Sequence, residues 1–325
     1  MVPSLDIVHN RAELGLFVSG LLVAAVLAAI VAVRWSRAWR ARRAARLAAR
    51  YQPRVDELLT PASAGVAMAE LLRAPASHRF AIGTLLISLL RVTSGEAIEY
   101  ARALTVSLGL RDAWRRELSS RRARRRADAA HALGIVHDPT AADPLIELLN
   151  DSSPSVRAAA VGALGAIGDP KALPALLSAL DDPARFSRDV VAEALGGFGE
   201  AAAPALLAHA RLRPPHAAMA IEIAGGIGGR SISGDLLSWM ADARPEVRAA
   251  AIGALGAVGL DERTYYHVLK ALDDDSVPAR AAAARAVGRA GREDAIPYLQ
   301  ARLTDEPAVA AECAAALRRL GRAPS

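Results

Sequence analysis

Little in this chain is suited to chemistry. A single cysteine, Cys313, in 325 residues excludes an intrachain disulfide and a cysteine-based zinc site. Aromatic residues make up only 4%, whereas a globular core of this length uses more large rings. The small side chains that replace them suit many short helices packed closely on their neighbours. Lysine occurs only at Lys171 and Lys270, so the positive charge is nearly all arginine. The seven histidines (His9, His78, His131, His137, His209, His216 and His267) are scattered, none is followed by Glu, and no HExxH occurs. His131 and His137 lie close to Asp138, but two histidines at a helix end do not make a metal site. There is no P-loop, and the glycine-rich run at 225–230 ends a helical stretch with no strand before it, so it is not a dinucleotide fingerprint. No nucleophile–base pair is supported. No enzyme activity, catalytic residue, cofactor or metal is expected.

The net charge of +6 conceals an asymmetry. Residues 1–126 hold 21 Lys and Arg against 9 Asp and Glu, a balance of +12, and residues 127–325 hold 19 against 25, a balance of −6. The two parts therefore have separate roles.

From Leu14 to Val33 twenty residues carry no charge, and as a helix they span roughly 30 Å, the thickness of a bilayer core. A cleaved signal peptide is the rival reading. It wants a basic start and a shorter apolar core, but Asp6, Arg11 and Glu13 precede this long run and Arg34 follows it directly. We expect an extracytoplasmic tail (1–13), a transmembrane helix (14–33) and an Arg-rich juxtamembrane helix (34–52). Arg34, Arg37, Arg40, Arg42, Arg43, Arg46 and Arg50 follow the span with no acid among them. The positive-inside rule then places the N-terminus outside and the rest in the cytoplasm, at the inner membrane. Trp35 and Trp39 suit the interfacial belt, and the arginines suit anionic lipid headgroups. The uncharged run from Phe80 to Leu90 is too short to span and reads as a buried helix. It belongs to residues 53–111, a helical cap or a set of degenerate repeats.

Further on the chain repeats itself. A glycine-marked helix end recurs at 132–138, 163–169, 194–200, 224–230, 254–260, 286–292 and 316–322, the marker glycines being Gly134, Gly165, Gly196, Gly225, Gly256 and Gly288, with Arg318 in the last unit. Each unit reads as two helices. Pro144, Pro174, Pro204 and Pro297 fall early in the first, as proline tolerates a first turn, and an Asp/Pro turn leads into the second. Positions one, four and five before the marker, and two after it, are almost all apolar and share a buried stripe; Cys313 lies in it as core filler. An arginine recurs eight before the marker (Arg126, Arg157, Arg188, Arg248, Arg280), and Asp151, Asp182, Asp242 and Asp274 each stand six residues before such a position. The fourth unit departs: it has Ala217 in place of that arginine and the turn RLRPPH, so the stack either bends there or receives a partner there.

These features resemble the HEAT-repeat family, including its short PBS-lyase-type HEAT-like units, over residues 112–325. The resemblance implies an all-α fold, an α-solenoid of about seven helical hairpins behind a single transmembrane helix. It also implies that the turn aspartates and second-helix arginines form a structural ladder between repeats. The iron-binding hydroxylase branch uses His-Glu pairs, which are absent here.

Stacked second helices usually line the binding face of such arrays. Three residues before the marker the chemistry varies most, so Asp189, Glu193 and Glu222 are expected to form an acidic patch, with Arg285 and Arg289 as a basic patch beyond. A second arginine run, Arg115, Arg116, Arg121, Arg122, Arg124, Arg125 and Arg126, suits headgroups, an anionic ligand or an acidic protein. The expected function is a membrane-anchored interaction scaffold or accessory subunit. Its partner would be another membrane protein, such as a glycosyltransferase or a transporter. The alternatives are a phycobilin-lyase-like enzyme and a nucleic-acid-binding array. The balance of −6 beyond residue 126 argues against a nucleic-acid partner.

Overall fold

The computed structural model describes residues 4–322; within the first helix the side chains of residues 4–21, 24, 37 and 40 lie outside the described set. The described residues are helices, turns and loops, and divide into two compact units between Leu110 and Arg111.

The first unit opens with α1 (Ser4–Asp56), one continuous helix across the expected tail, span and juxtamembrane segment. Side chains of the tail, of residues 14–21 and 24 in the expected span, and of Arg37 and Arg40 fall outside the description. Among the described residues no single helix is long and apolar enough to cross a membrane. The described apolar side chains of the run, from Leu22 to Val33, are exposed. Near its end α1 acquires a core: Tyr51 and Val55 are buried, and the Tyr51 hydroxyl meets His78 Nδ1 at 2.9 Å. Three helices complete the unit, α2 (Pro61–Leu72), α3 (Ala76–Leu90) and α4 (Glu96–Ser107). In α3 the residues Ile82, Leu86 and Leu89 are buried at helical spacing while Phe80 is exposed.

The second unit is an array of helical hairpins. Its helices are α5 (Leu110–Glu117), α6 (Ala123–Ile135), α7 (Ala142–Leu148), α8 (Pro154–Ile167), α9 (Leu173–Leu180) and α10 (Arg188–Gly196). They continue as α11 (Ala202–Leu212), α12 (Ala217–Ile227), α13 (Ser233–Trp239), α14 (Pro245–Val258), α15 (Glu262–Lys270), α16 (Val277–Ala290), α17 (Ile296–Ala301) and α18 (Pro307–Arg319). The even-numbered helices form one layer and the odd-numbered ones the other. Proline opens α8, α14 and α18 at the first position, where its missing N–H costs nothing.

The stripe is buried as its periodicity demands. Positions one and five before the marker are buried in every unit, and burying a leucine such as Leu164 stabilises by about 1.5–3 kcal/mol. The marker glycines let successive second helices touch. A Cβ on Gly134 would lie 2.7 Å from the Cα of Ala163, and one on Gly256 would lie 2.6 Å from the Cβ of Ala286.

Arginine joins repeat to repeat at the edge. Arg126 holds Asp151 through Nε–H and Nη2–H at 2.6 and 2.8 Å. Arg248 holds Asp274 and Arg280 holds Asp305 in the same two-pronged way. Asp151 and Asp274 work twice: Asp274 accepts Arg248 on its carboxylate, while its backbone oxygen accepts Arg280 of its own repeat at 2.9 Å, as that of Asp151 accepts Arg157 at 3.0 Å. Asp305 completes this ladder though the turn motif did not single it out.

The middle of the ladder differs from expectation. Asp182 is not held by Arg157; it lies 4.0 Å from Arg185, and Arg157 spends its donors on the carbonyl oxygens of Asp151, Ser152 and Arg185. Arg188 is exposed and has no partner among the described residues, because Arg213 stands where the next repeat would offer a carboxylate. Asp242 faces Ala217 instead of an arginine, so Arg244 of its own turn takes the carboxylate at 2.9 Å and reaches back to the Pro214 carbonyl oxygen at 2.6 Å.

Candidate protein-binding face

The second-helix layer exposes the position whose chemistry varies most from unit to unit. Three residues before the marker, His131, Gly162, Glu193, Glu222 and Arg285 are exposed, while Gly253 and Ala315 are half-buried. The reason is angular: these positions lie across the helix from the buried stripe.

A groove of about 490 Å³ crosses α12, α14 and α16. Its floor includes Gly226, Gly253, Ala257 and Ala281, with Glu222 and Arg285 among its lining residues. Small side chains leave the helix backbones close to the surface. Nothing lies within 4 Å of a Cβ built on Gly253 or Gly226, so the groove is open at its floor.

The expected patches come together only in part. Asp189 and Glu193 are exposed one turn apart on α10, whereas Glu222 belongs to α12 and the groove. Arg285 is not a bare cation: Glu312 on α18 accepts from it at 2.6 and 3.1 Å. That contact holds the Glu312 carboxyl below its ordinary value and raises the Arg285 guanidinium. Arg289 is exposed one turn on. Glu312 was not singled out in the sequence; its spacing of 27 residues from Arg285, close to one repeat, is the signal that pairs them.

The arginine run is also divided. Arg126 belongs to the ladder, Arg115 meets Asp112, Asp138 and Thr140, and Arg125 meets Glu117 at 3.3 Å. Arg124 lies 3.7 Å from Asp128 at an exposed site. Arg116, Arg121 and Arg122 are exposed, and their guanidinium groups have no partner among the described residues. Of the expected membrane-surface residues, Trp35 and Trp39 are exposed, with the Arg43 guanidinium 5.7 Å from the Trp39 ring centroid. Arg34, Arg42, Arg43, Arg46 and Arg50 are exposed too.

No group of three or more His, Cys, Asp or Glu side chains among the described residues is placed to hold a metal ion. Cys313 is buried, and desolvation pushes its thiol up to about 11. Asp138 caps a turn, accepting from Thr140 N and Oγ1.

Residues 112–196, 148–217 and 203–286 match the family described as HEAT repeats, and residues 279–305 match the PBS lyase HEAT-like repeat. No curated protein matches the chain in sequence. Among solved structures the chain is similar to importin beta, at 15% identity and a TM-score of 0.48, over 83% of this chain and 42% of that one. It is similar to the phycocyanin lyase complex of a Nostoc species, at 23% identity and a TM-score of 0.34, over 65% and 86%. It is also similar to human deoxyhypusine hydroxylase, at 21% identity and a TM-score of 0.31, over 85% and 97%. The chain thus spans less than half of importin beta.

Proposed function

The chain belongs to the HEAT-repeat family, and from that premise we propose that it is a non-catalytic scaffold, anchored in a membrane by α1, whose array binds a protein partner across the second-helix layer. HEAT-repeat solenoids generally bind proteins. The observation that carries the reading here is the groove over α12, α14 and α16. Its glycine and alanine floor lets a partner backbone approach closely, and Glu222 and Arg285 offer charges to set its direction.

The anchor rests on the uncharged run 14–33 within one helix and on the exposure of its described apolar side chains. Exposed apolar residues all round a helix need lipid or another apolar helix. Trp35, Trp39 and the arginines after them fit an interface on the cytoplasmic side, with anionic headgroups as their partners. In this reading the array works in the cytoplasm and the partner is itself a membrane protein, such as a transporter or a glycosyltransferase.

The experiment is gentle detergent extraction of the tagged chain, with mass spectrometry of what co-purifies. One stoichiometric membrane protein is expected, and it should be lost from Glu222→Ala and from Gly253→Trp, which fills the groove. A bare monomer at low salt and native expression would overturn the scaffold reading. The same partner, unaffected by either substitution, would move the interface away from the groove.

A further inference from the structure

Two rules that hold the stack together fail jointly at one junction, between α10 and α12. The first is the glycine contact. Gly134, Gly165, Gly225, Gly256 and Gly288 each lie so close to an alanine of the next second helix that an added Cβ would come within 3 Å of it. Those alanines, Ala163, Ala194, Ala254, Ala286 and Ala316, all stand two residues before the marker position of their own unit. In the fourth unit that position is Ile223, and a Cβ on Gly196 would meet nothing within 4 Å. An isoleucine is too bulky to seat against a glycine at helix-contact distance, so α12 stands off from α10.

The second failure is the ladder. Arg188 of the third unit finds Arg213, not an aspartate, in the next turn; the ladder lapses on either side as well, at Asp182 and Asp242, but there the glycine contacts of Gly165 and Gly225 remain. One tie remains. On the odd-helix side Asp181, at the end of α9, meets His209 Nε2 of α11 at 3.0 Å and Arg213 Nε at 3.4 Å. The two sides of the junction are thus tied in one layer and open in the other.

We propose that this junction is a joint built into the array. Helices α6, α8 and α10 form one rigid stack and α12, α14, α16 and α18 a second. The stacks swing about the Asp181 tie, and the movement opens and closes the layer at Gly196. Packed interfaces have discrete arrangements, whereas an interface lacking its contacts is free to move. Asp189 and Glu193 ride on the first stack, and Glu222 with the groove rides on the second. The joint therefore sets how far apart these acids are presented.

The test is electron–electron distance measurement on the full 325-residue chain with nitroxide pairs. Glu193→Cys with Glu222→Cys spans the joint; Glu222→Cys with Ala257→Cys lies within the second stack. Cys313, fully buried, stays unlabelled. The spanning pair should give a distance distribution roughly twofold or more broader than the control pair, as a domain hinge does. Equal widths would overturn the joint. Ile223→Ala returns an alanine to Gly196 while leaving the Asp181 tie to His209 and Arg213 intact, and should narrow the spanning distribution to that of the control. An unchanged breadth in that variant, folded by circular dichroism, would overturn the assignment of the joint to this residue.

Discussion

The Arg248 guanidinium grips the Asp274 carboxylate through two parallel bonds of 2.8 Å, Nε–H to Oδ2 and Nη2–H to Oδ1. The pair joins one repeat to the next, and Asp274 then passes the connection on, its backbone oxygen accepting from Arg280. Two-pronged pairs of this kind fix orientation as well as distance. They occur at the first repeat junction and at the last two of this series, and not between α10 and α12.

Asp274→Ala should cost about 1–3 kcal/mol, since it leaves a largely buried guanidinium with half its hydrogen bonds unmade. Asp182→Ala, whose carboxylate reaches only Arg185 at 4.0 Å, should cost less than about 0.5 kcal/mol. Urea unfolding followed by circular dichroism separates the two. Equal losses would mean that the ladder geometry is irrelevant to stability.

The array was largely legible in the sequence because its packing rules repeat. Glycine spacing, the apolar stripe and the arginine eight residues before the marker correspond to contacts in the structure, except at Gly196 and Arg188. The individual pairings were less legible. The resemblance implied a ladder between repeats, but the six-residue spacing does not say which atoms build it: the Asp151 and Asp274 carboxylates turn to the preceding repeat and only their backbone oxygens serve the arginine six residues on. Asp305 escaped notice because Ala310 and Ala311 follow it where the other turn aspartates are followed by an arginine. Arg244 escaped because its role exists only where Ala217 removes the usual partner. The acidic patch was read on one face from marker spacing, and spacing does not reveal that Ile223 pushes α12 away from α10.

Gly256→Ala and Gly196→Ala should part company. The first drives a methyl to 2.6 Å from Ala286 Cβ and should destabilise by about 1–3 kcal/mol, the range for overpacked cores. The second enters open space at the end of a helix and should be neutral or stabilising by up to about 1 kcal/mol. Melting temperatures of the two variants check this, and a loss in Gly196→Ala as large as in Gly256→Ala would mean that α10 and α12 do pack.

Cys313 should behave as a core methyl group. It is fully buried and its thiol is pushed up to about 11, so at pH 8 almost none is thiolate and a disulfide reagent has no path to it. Labelling should follow unfolding, rising steeply across the urea transition. Stoichiometric labelling within seconds in native buffer would contradict the packing of α18.

Acid should dismantle the ladder before it touches the hydrophobic stripe. Hydrogen bonds from Arg126, Arg248 and Arg280 hold Asp151, Asp274 and Asp305 below the ordinary carboxylate value, and Arg244 brings Asp242 to about 2. A group whose folded value is depressed binds its proton more readily when unfolded. Its contribution is therefore fully present above the unfolded value of about 3.9 and is lost as pH falls through the folded one. Melting temperature should be nearly level from pH 7 to 5 and fall between about pH 4 and pH 2. In Asp274→Asn part of that acid sensitivity should vanish, because the variant has no proton to gain at that position. A fall of equal steepness in the variant would assign the acid response to other carboxylates and remove the ladder from the account of stability.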